Sequence, residues 1–270
     1  MGLYAAAAVT ETSPGSGSER WANGLQWLPE LIRDGTTAFG ARELLCSTAS
    51  ISPTIKPEIE EADPFMVYAY DVCSKFEDAG DPRDRDGRAR RLLEATQSAS
   101  IAAELWSGVI TQAQSLQNTW LAKTGVTLAT SSALTPQKAL ARLDKAIAVN
   151  MSNGRGMIHC TVEVLDRLVD LNAVRREGTL WLTGFDNIVV ADAGYTGDRS
   201  GQSAAEEWMI ATTLVEIRVG PILTTSADVN YDADGIFDRT LNDVVVWAQR
   251  DVIVMHEPHL LWHAAQVDMA

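Results

Sequence analysis

Cysteine is scarce in this 270-residue chain, and cations are outnumbered. The three cysteines, Cys46, Cys73 and Cys160, show no paired spacing. That argues against a disulfide framework or a zinc knuckle and is the usage a reducing cytoplasm allows. Lys and Arg number 22 against 36 Asp and Glu, a formal net charge of −14. A protein that reads duplex DNA directly carries a basic face, so sequence-specific DNA binding is disfavoured. An acidic chain still suits enclosing DNA without gripping it, since like charges repel a polyanion. No apolar run approaches the roughly 20 residues a membrane helix needs. The opening MGLYAAAAVTETSPGSGSER has no basic region ahead of its alanines, which argues against a secretory signal. Ala6 also stands where a myristoylation motif wants Ser or Thr.

What is present belongs to a folded chain: 46% of residues are hydrophobic and 21% charged. The length suits one large domain or two intimate ones. The first twenty residues are small, polar and glycine-rich, a mobile arm by composition. WANGLQWLPELI then offers aromatic and aliphatic anchors, so the arm is expected to dock. In ISPTIKPEI, Ile55, Pro57 and Ile59 alternate with Thr54, Lys56 and Glu58, and the prolines make it an edge strand or ribbon. Glu60, Glu61, Ala62, Asp63 and Pro64 read as a polar break. FMVYAYDVC reads as the returning strand of a long hairpin with little core of its own.

Beyond Arg88, Leu92, Ala95, Ala99, Ala102 and Trp106 recur at three- and four-residue steps, and Gly108 marks a stop. The spacing predicts a long amphipathic helix. Its leading Arg83, Arg85, Arg88, Arg90 and Arg91 are interleaved with Asp81, Asp84 and Asp86, a partly self-paired solvated face rather than a phosphate patch. Thr135 and Pro136 open a second helix with the stripe Ala139, Leu140, Leu143, Ala146 and Ile147. MIHC reads as a short buried strand and TVEVLDRLVDL as a helix capped by Thr161. TLWLT, NIVVAD and a long EWMIATTLVEIRVG are expected strands, and LNDVVVWAQRDVIVMHEP a second long one.

Several constellations resemble catalytic or metal motifs and fail on chemistry. Asn230, Asp232, Asp234, Gly235 and Asp238 match five positions of a calcium loop, but position 12 is Leu241 instead of a bidentate Glu and the flanks read as strands. A loop joining two strands is the better reading. His256, His259 and His263 lack the zinc-protease spacing, and Pro258 breaks the helix that would align them. His159 and Cys160 are adjacent on a strand and face opposite ways, so they form no nucleophile pair. SPGSGS has neither a preceding strand nor the lysine of a phosphate loop, and Gly-x-Ser-x-Gly is absent. No cofactor, metal or catalytic residue is expected.

Local wording carries more. Gly156, Met157, Ile158 and His159 lead into a helix; NIVVADAGY ends at Gly194 and Tyr195; WMIATTLVEIRVG is led by Trp208; RARRLLEATQSASIAAELWSG lies upstream. From Arg88 to Pro258 this resembles the major capsid proteins of tailed actinobacterial phages. The resemblance implies an α+β, HK97-type capsid fold. By analogy, residues 1–40 are an N-terminal arm, 41–80 an extended E-loop and 81–124 the peripheral domain with its spine helix. Residues 125–205 form the axial domain, 206–257 the peripheral domain's long strands and loop, and 258–270 a return to the axial domain. The implied role is a non-enzymatic capsid subunit, assembled in the host cytoplasm and located in the virion. It forms hexamers and pentamers that enclose double-stranded DNA, with scaffolding, portal and decoration proteins as partners and no membrane. The chain opens at Met1 with a short arm, which implies a separate scaffold or none. Lys56 has no identified Asn and Glu partners for a self-catalysed crosslink.

An arm and a ribbon without cores must recover their ordering cost, about 1–2 kcal/mol per residue, by burial against neighbouring subunits. Trp21, Trp27, Leu28, Ile55, Ile59, Phe65 and Tyr68 are the candidate intersubunit anchors. An encapsulin-type compartment shares the implied fold and is the first alternative. A metal-dependent hydrolase built on the acidic loop or the terminal histidines is the second.

Overall fold

The structure, a computed structural model, describes residues 2–11, 25–27, 60–74, 85–151, 154–199, 206–224, 236–238, 243–258 and 261–269. The chain opens with a single helical turn, α1 (Leu3–Ala6), and strand β1 (Ala8–Glu11). β2 (Leu25–Trp27) pairs antiparallel with β3 (Glu60–Ala62), and β4 (Phe65–Ser74) follows. The long helix α2 (Arg85–Ser107) meets the short α3 (Val109–Gln114) at Gly108. After β5 (Thr127–Leu128) come α4 (Pro136–Asn150), β6 (Met157–Cys160) and α5 (Val162–Asp170). Then β7 (Arg175–Glu177), β8 (Leu180–Leu182) and β9 (Ile188–Ala191) form a meander. The last third holds β10 (Glu206–Thr212), β11 (Glu216–Val219), β12 (Leu223–Thr224), β13 (Ile236–Asp238), β14 (Asp243–Met255) and β15 (Trp262–Asp268).

β14 organises a six-stranded sheet. β4 runs antiparallel along one side of it, from Asp243↔Ser74 to Val252↔Phe65. On its other side β13, β12 and β11 pair in turn, and β1 extends β11 in parallel. Strand side chains alternate between faces. Phe65, Val67 and Ala69 of β4 and Val246, Ala248, Arg250 and Val252 of β14 are buried, on the face that packs against α2. The expected returning strand of a coreless ribbon is therefore paired along the main sheet's central strand, a correction that also moves Phe65 into the chain's own core. The expected polar break is also corrected. Glu60–Ala62 is a strand paired with the arm, and Asp63 exchanges hydrogen bonds with the 117–118 loop.

The buried row of α2 is Ala89, Leu93, Gln97, Ile101 and Leu105, joined by Ala102 and Trp106. That i, i+4 row lies one step from the apolar stripe read in the sequence, and Leu92, Ala95 and Ala99 fall outside it, Leu92 and Ala95 exposed. The reason is Gln97, which occupies a core position. Opposite it Arg250 does the same on β14. The guanidinium donates from Nη1 to Gln97 Oε1 at 3.0 Å, and from Nε and Nη2 to the Gly220 carbonyl at 2.9 and 2.7 Å. It also hydrogen-bonds the Tyr4 hydroxyl and lies 3.8 Å from Glu11 Oε1. One buried side chain thus joins α2, the β11–β12 turn, α1 and β1.

The second sheet has seven strands in the order β5-β15-β10-β6-β9-β8-β7. Both of its faces are buried, as its near-continuous apolar runs require. Ile158, Cys160, Val189, Ala191, Met209 and Ala211 face α4 and α5, whereas Met157, Val190, Trp208 and Ile210 join the core shared with α2. Thr161 caps α5, accepting from Val164 N at 3.3 Å, and Pro136 opens α4 as its position dictates. The single long strand expected over EWMIATTLVEIRVG is corrected: β10 pairs with β6 and β15 in this sheet, and only β11 crosses to pair with β14. Hydroxyls at Thr212 and Thr213 satisfy the corner where the chain changes sheets, a cost that strand propensity does not register.

Two glycines are required sterically. Gly108 sits at φ +61, and a Cβ there would meet the Trp120 ring at 2.4 Å. Gly194 lets the turn after β9 lie directly on α2, since a Cβ would come within 2.1 Å of the Ala99 carbonyl. Gly194→Ala is expected to force that turn off the helix and to cost roughly 1–3 kcal/mol, read as a lowered thermal midpoint of the whole chain. Arg250→Ala strands Gln97 and the Gly220 carbonyl, with an expected cost on the order of 3 kcal/mol in denaturant titration. Arg250→Lys is expected to restore less than half of it, because a point charge does not span three acceptors.

Candidate assembly surfaces and the buried histidines

The candidate anchors fall into three groups. Trp21, Leu28, Ile55 and Ile59 lie outside the described residues, as do His259 and the Asn230–Gly235 part of the acidic loop. Trp27 is placed on β2 opposite Glu60. Phe65 is 5% exposed within the core and Tyr68 is 61% exposed on the other face of β4. Phe65 is thus spent on folding. Tyr68 instead joins Met66, Tyr70, Trp247 and Gln249 around a shallow apolar hollow of about 370 Å³. The aromatic alternation of FMVYAYDVC carried this signal, because its outward residues are as apolar as its inward ones.

Of the leading arginines, Arg88 lies 3.3 Å from Asp71 on β4. Asp238 closes a β13–β14 pairing opposite Asp243, so this end of the acidic stretch is β ladder rather than a calcium-binding turn. Among the described residues no group of three or more His, Cys, Asp or Glu is placed to hold a metal ion.

The described histidines are placed apart from one another's expected partners. His263 meets Asn150 on α4 at 3.1 Å, whereas His256 faces the Thr119 carbonyl at 3.3 Å. His159 is fully buried between Tyr195 Oη and Thr212 Oγ1, each 2.8 Å away. Thr212 spends its single proton on the Thr213 carbonyl at 2.9 Å. It therefore accepts from His159 Nε2–H, which leaves Nδ1 to accept from Tyr195. Thr213 Oγ1 in turn accepts from Glu257 N at 2.9 Å. This relay runs from the turn after β9 to both chain crossings between the sheets. It is structural, since both ring nitrogens of His159 are engaged by hydroxyls inside the core. Cys160 points into the opposite core, and burial pushes its thiol up to about 12, so it is no thiolate at neutral pH.

No family model matches the chain, and no curated protein matches it. Solved structures do. A chain of Microbacterium phage Oxtober96 aligns with TM-score 0.55 at 13% identity, over 98% of this chain and 91% of the other. The capsid of a native GTA particle computed with C5 symmetry aligns at 0.53 and 12%, over 99% and 90%. The holo-SrpI encapsulin complex from Synechococcus elongatus PCC 7942 aligns at 0.53 and 8%, over 98% and 86%. At such identities the likeness establishes the fold, which is α+β and HK97-type, as the sequence resemblance implied. No helix among the described residues is long and apolar enough to cross a membrane.

Burial holds both inner histidines neutral. His159 is pushed down to about 3, by burial and then by nearby His256. His256 is pushed down to about 4 by burial, against the pull of the Thr119 carbonyl. In the unfolded chain both titrate near 6.5. Below about pH 6.5 and down to the folded values near 4 and 3, the unfolded state binds the extra protons, so this contribution to stability is complete above that window and falls as pH falls through it. Denaturant titrations at stepped pH are expected to show this slope, and His256→Gln is expected to reduce it by about half, since His159 still contributes.

Proposed function

We propose that this chain is the structural subunit of an icosahedral phage capsid, self-assembling into hexamers and pentamers around packaged double-stranded DNA. The observation that carries the reading is the near-full-length fold shared with the Microbacterium phage chain, at a TM-score of 0.55. Local wording supports it: GMIHC is β6, NIVVADAGY is β9 with the Gly194 turn on α2, and the Trp208-led segment spans β10 and β11. In this reading α2 is the spine helix of the peripheral domain, packed on the six-stranded sheet. The seven-stranded sheet with α4 and α5 is the axial domain, and residues 41–80 include the E-loop. β10 pairs in the seven-stranded sheet, which supports counting it with the proposed axial domain rather than with the rest of 206–257.

The subunit works by burial against copies of itself, without catalysis. Tyr68, Trp27 and the arm and ribbon residues Trp21, Leu28, Ile55 and Ile59 are proposed contacts in that assembly. Scaffolding, portal and decoration proteins are proposed partners, the virion is the proposed location, and the acidic balance leaves DNA free to slide during filling. An encapsulin-type shell is the second reading, favoured by the fold shared with the Synechococcus complex.

Negative-stain microscopy of the purified chain, with and without its neighbouring genes, tests both. Closed shells or capsomer rings are expected. Nucleic acid inside and adjacent portal and terminase genes mark the phage reading, whereas protein cargo marks the encapsulin reading. A persistent monomer under both conditions overturns the two together.

A further inference from the structure

The turn between β8 and β9 is built more stiffly than a hairpin needs. Thr183 N donates to the Asn187 carbonyl at 2.9 Å, Asp186 N to the Thr183 carbonyl at 3.2 Å, and Phe185 N to Thr183 Oγ1 at 3.2 Å. Beneath the turn, Asp144 of α4 is buried and accepts from Thr183 Oγ1 at 2.9 Å and Asn187 Nδ2 at 2.8 Å. Asn187 Oδ1 accepts from Gly156 N at 3.0 Å. From the side, Arg175 of β7 donates to the Thr183 carbonyl at 3.1 Å and pairs with Asp186. Asp186 holds φ +64, a left-handed conformation that costs a non-glycine residue free energy.

All of this bracing presents one side chain. Phe185 is 76% exposed, ahead of Val109 at 64% and Tyr68 at 61%. Scattered apolar residues on a surface are ordinary. An aromatic ring on a tip already fixed by a buried carboxylate is different, because association then costs little loop entropy. The charges on β7 and in the turn also matter. Arg175, Arg176, Glu177 and Asp186 sum to zero, two positive and two negative, on a subunit whose formal net charge is −14. A second copy, equally acidic, meets repulsion over much of the surface and least where the local charge is cancelled.

We propose that the Phe185 tip is a self-association contact, in which Phe185 of one copy packs into the surface of a second copy of this chain. The inference rests on the shell reading for the existence of assembled copies and adds the residue that holds two of them together. It also gives the buried Asp144, Thr183 and Asn187 group a purpose: they position Phe185 rather than act on a ligand.

Sedimentation velocity of the full chain over a concentration series tests it, with Phe185→Ala, Val109→Ala as a control at another exposed apolar residue, and thermal melting of each. Phe185→Ala is expected to raise the concentration needed for assembly about ten-fold or more. Its melting in the unassembled state is expected to match wild type, and Val109→Ala is expected to assemble normally. Wild-type particles together with unchanged assembly of Phe185→Ala overturn the contact and leave the shell reading intact. Equal losses in both variants overturn it as well, since any exposed apolar group would then serve. A wild-type chain that stays monomeric at every concentration overturns the contact and the shell reading together.

Discussion

A buried guanidinium whose hydrogen bonds must all be satisfied inside the fold is the constraint on which the first sheet depends. Arg250 sits at a core-facing position of the longest strand, and desolvating its charge is costly unless its donors find acceptors. Gln97 on α2, the Gly220 carbonyl and Tyr4 supply them, with Glu11 near at hand. The helix must therefore lie in one register on the sheet, and the first residues of the chain must fold back over its end. Apolar contacts would accept neighbouring registers with little loss; the directional bonds do not.

The second sheet is tied to the first by an analogous but neutral device. The chain crosses between sheets after β10 and again after β14, and corners of that kind leave backbone groups without ladder partners. The Tyr195, His159, Thr212, Thr213 relay satisfies this region from one side, and Asp192 does similar work nearby. Its Oδ2 accepts from Leu3 N at 2.8 Å and Ser98 Oγ at 3.0 Å, while Oδ1 takes Gly194 N at 3.1 Å. Polar groups thus define where sheets, helix and arm meet, and apolar burial supplies the bulk of the driving force around them.

The candidate surfaces were legible only where they interrupt a pattern. FMVYAYDVC announced a strand, yet its outward Met66, Tyr68 and Tyr70 are as apolar as its inward Phe65 and Val67, so the sequence offered no means of telling core from contact. Gln97 and Arg250 misled in a complementary way. Each is polar at an inward position, so periodicity shifted the stripe on α2 and gave no sign that Arg250 turns inward, although each excuses the other. Phe185 left no periodic signal at all, being one residue in a turn.

Local chemistry settled much in advance. The helices at Thr135–Pro136 and Thr161, the stop at Gly108, the two-faced apolar strands and the opposed directions of His159 and Cys160 follow from caps, φ preferences and alternation, which act within a few residues. The wording around GMIHC and NIVVADAGY pointed to the HK97-type fold. Tertiary structure decided what depends on distant partners: that β4 pairs with β14, that one apolar segment divides between two sheets, and that a buried glutamine and arginine meet. Those outcomes rest on contacts between residues up to 187 positions apart, as Phe65 and Val252 are, and neither propensity nor periodicity carries information over such a distance.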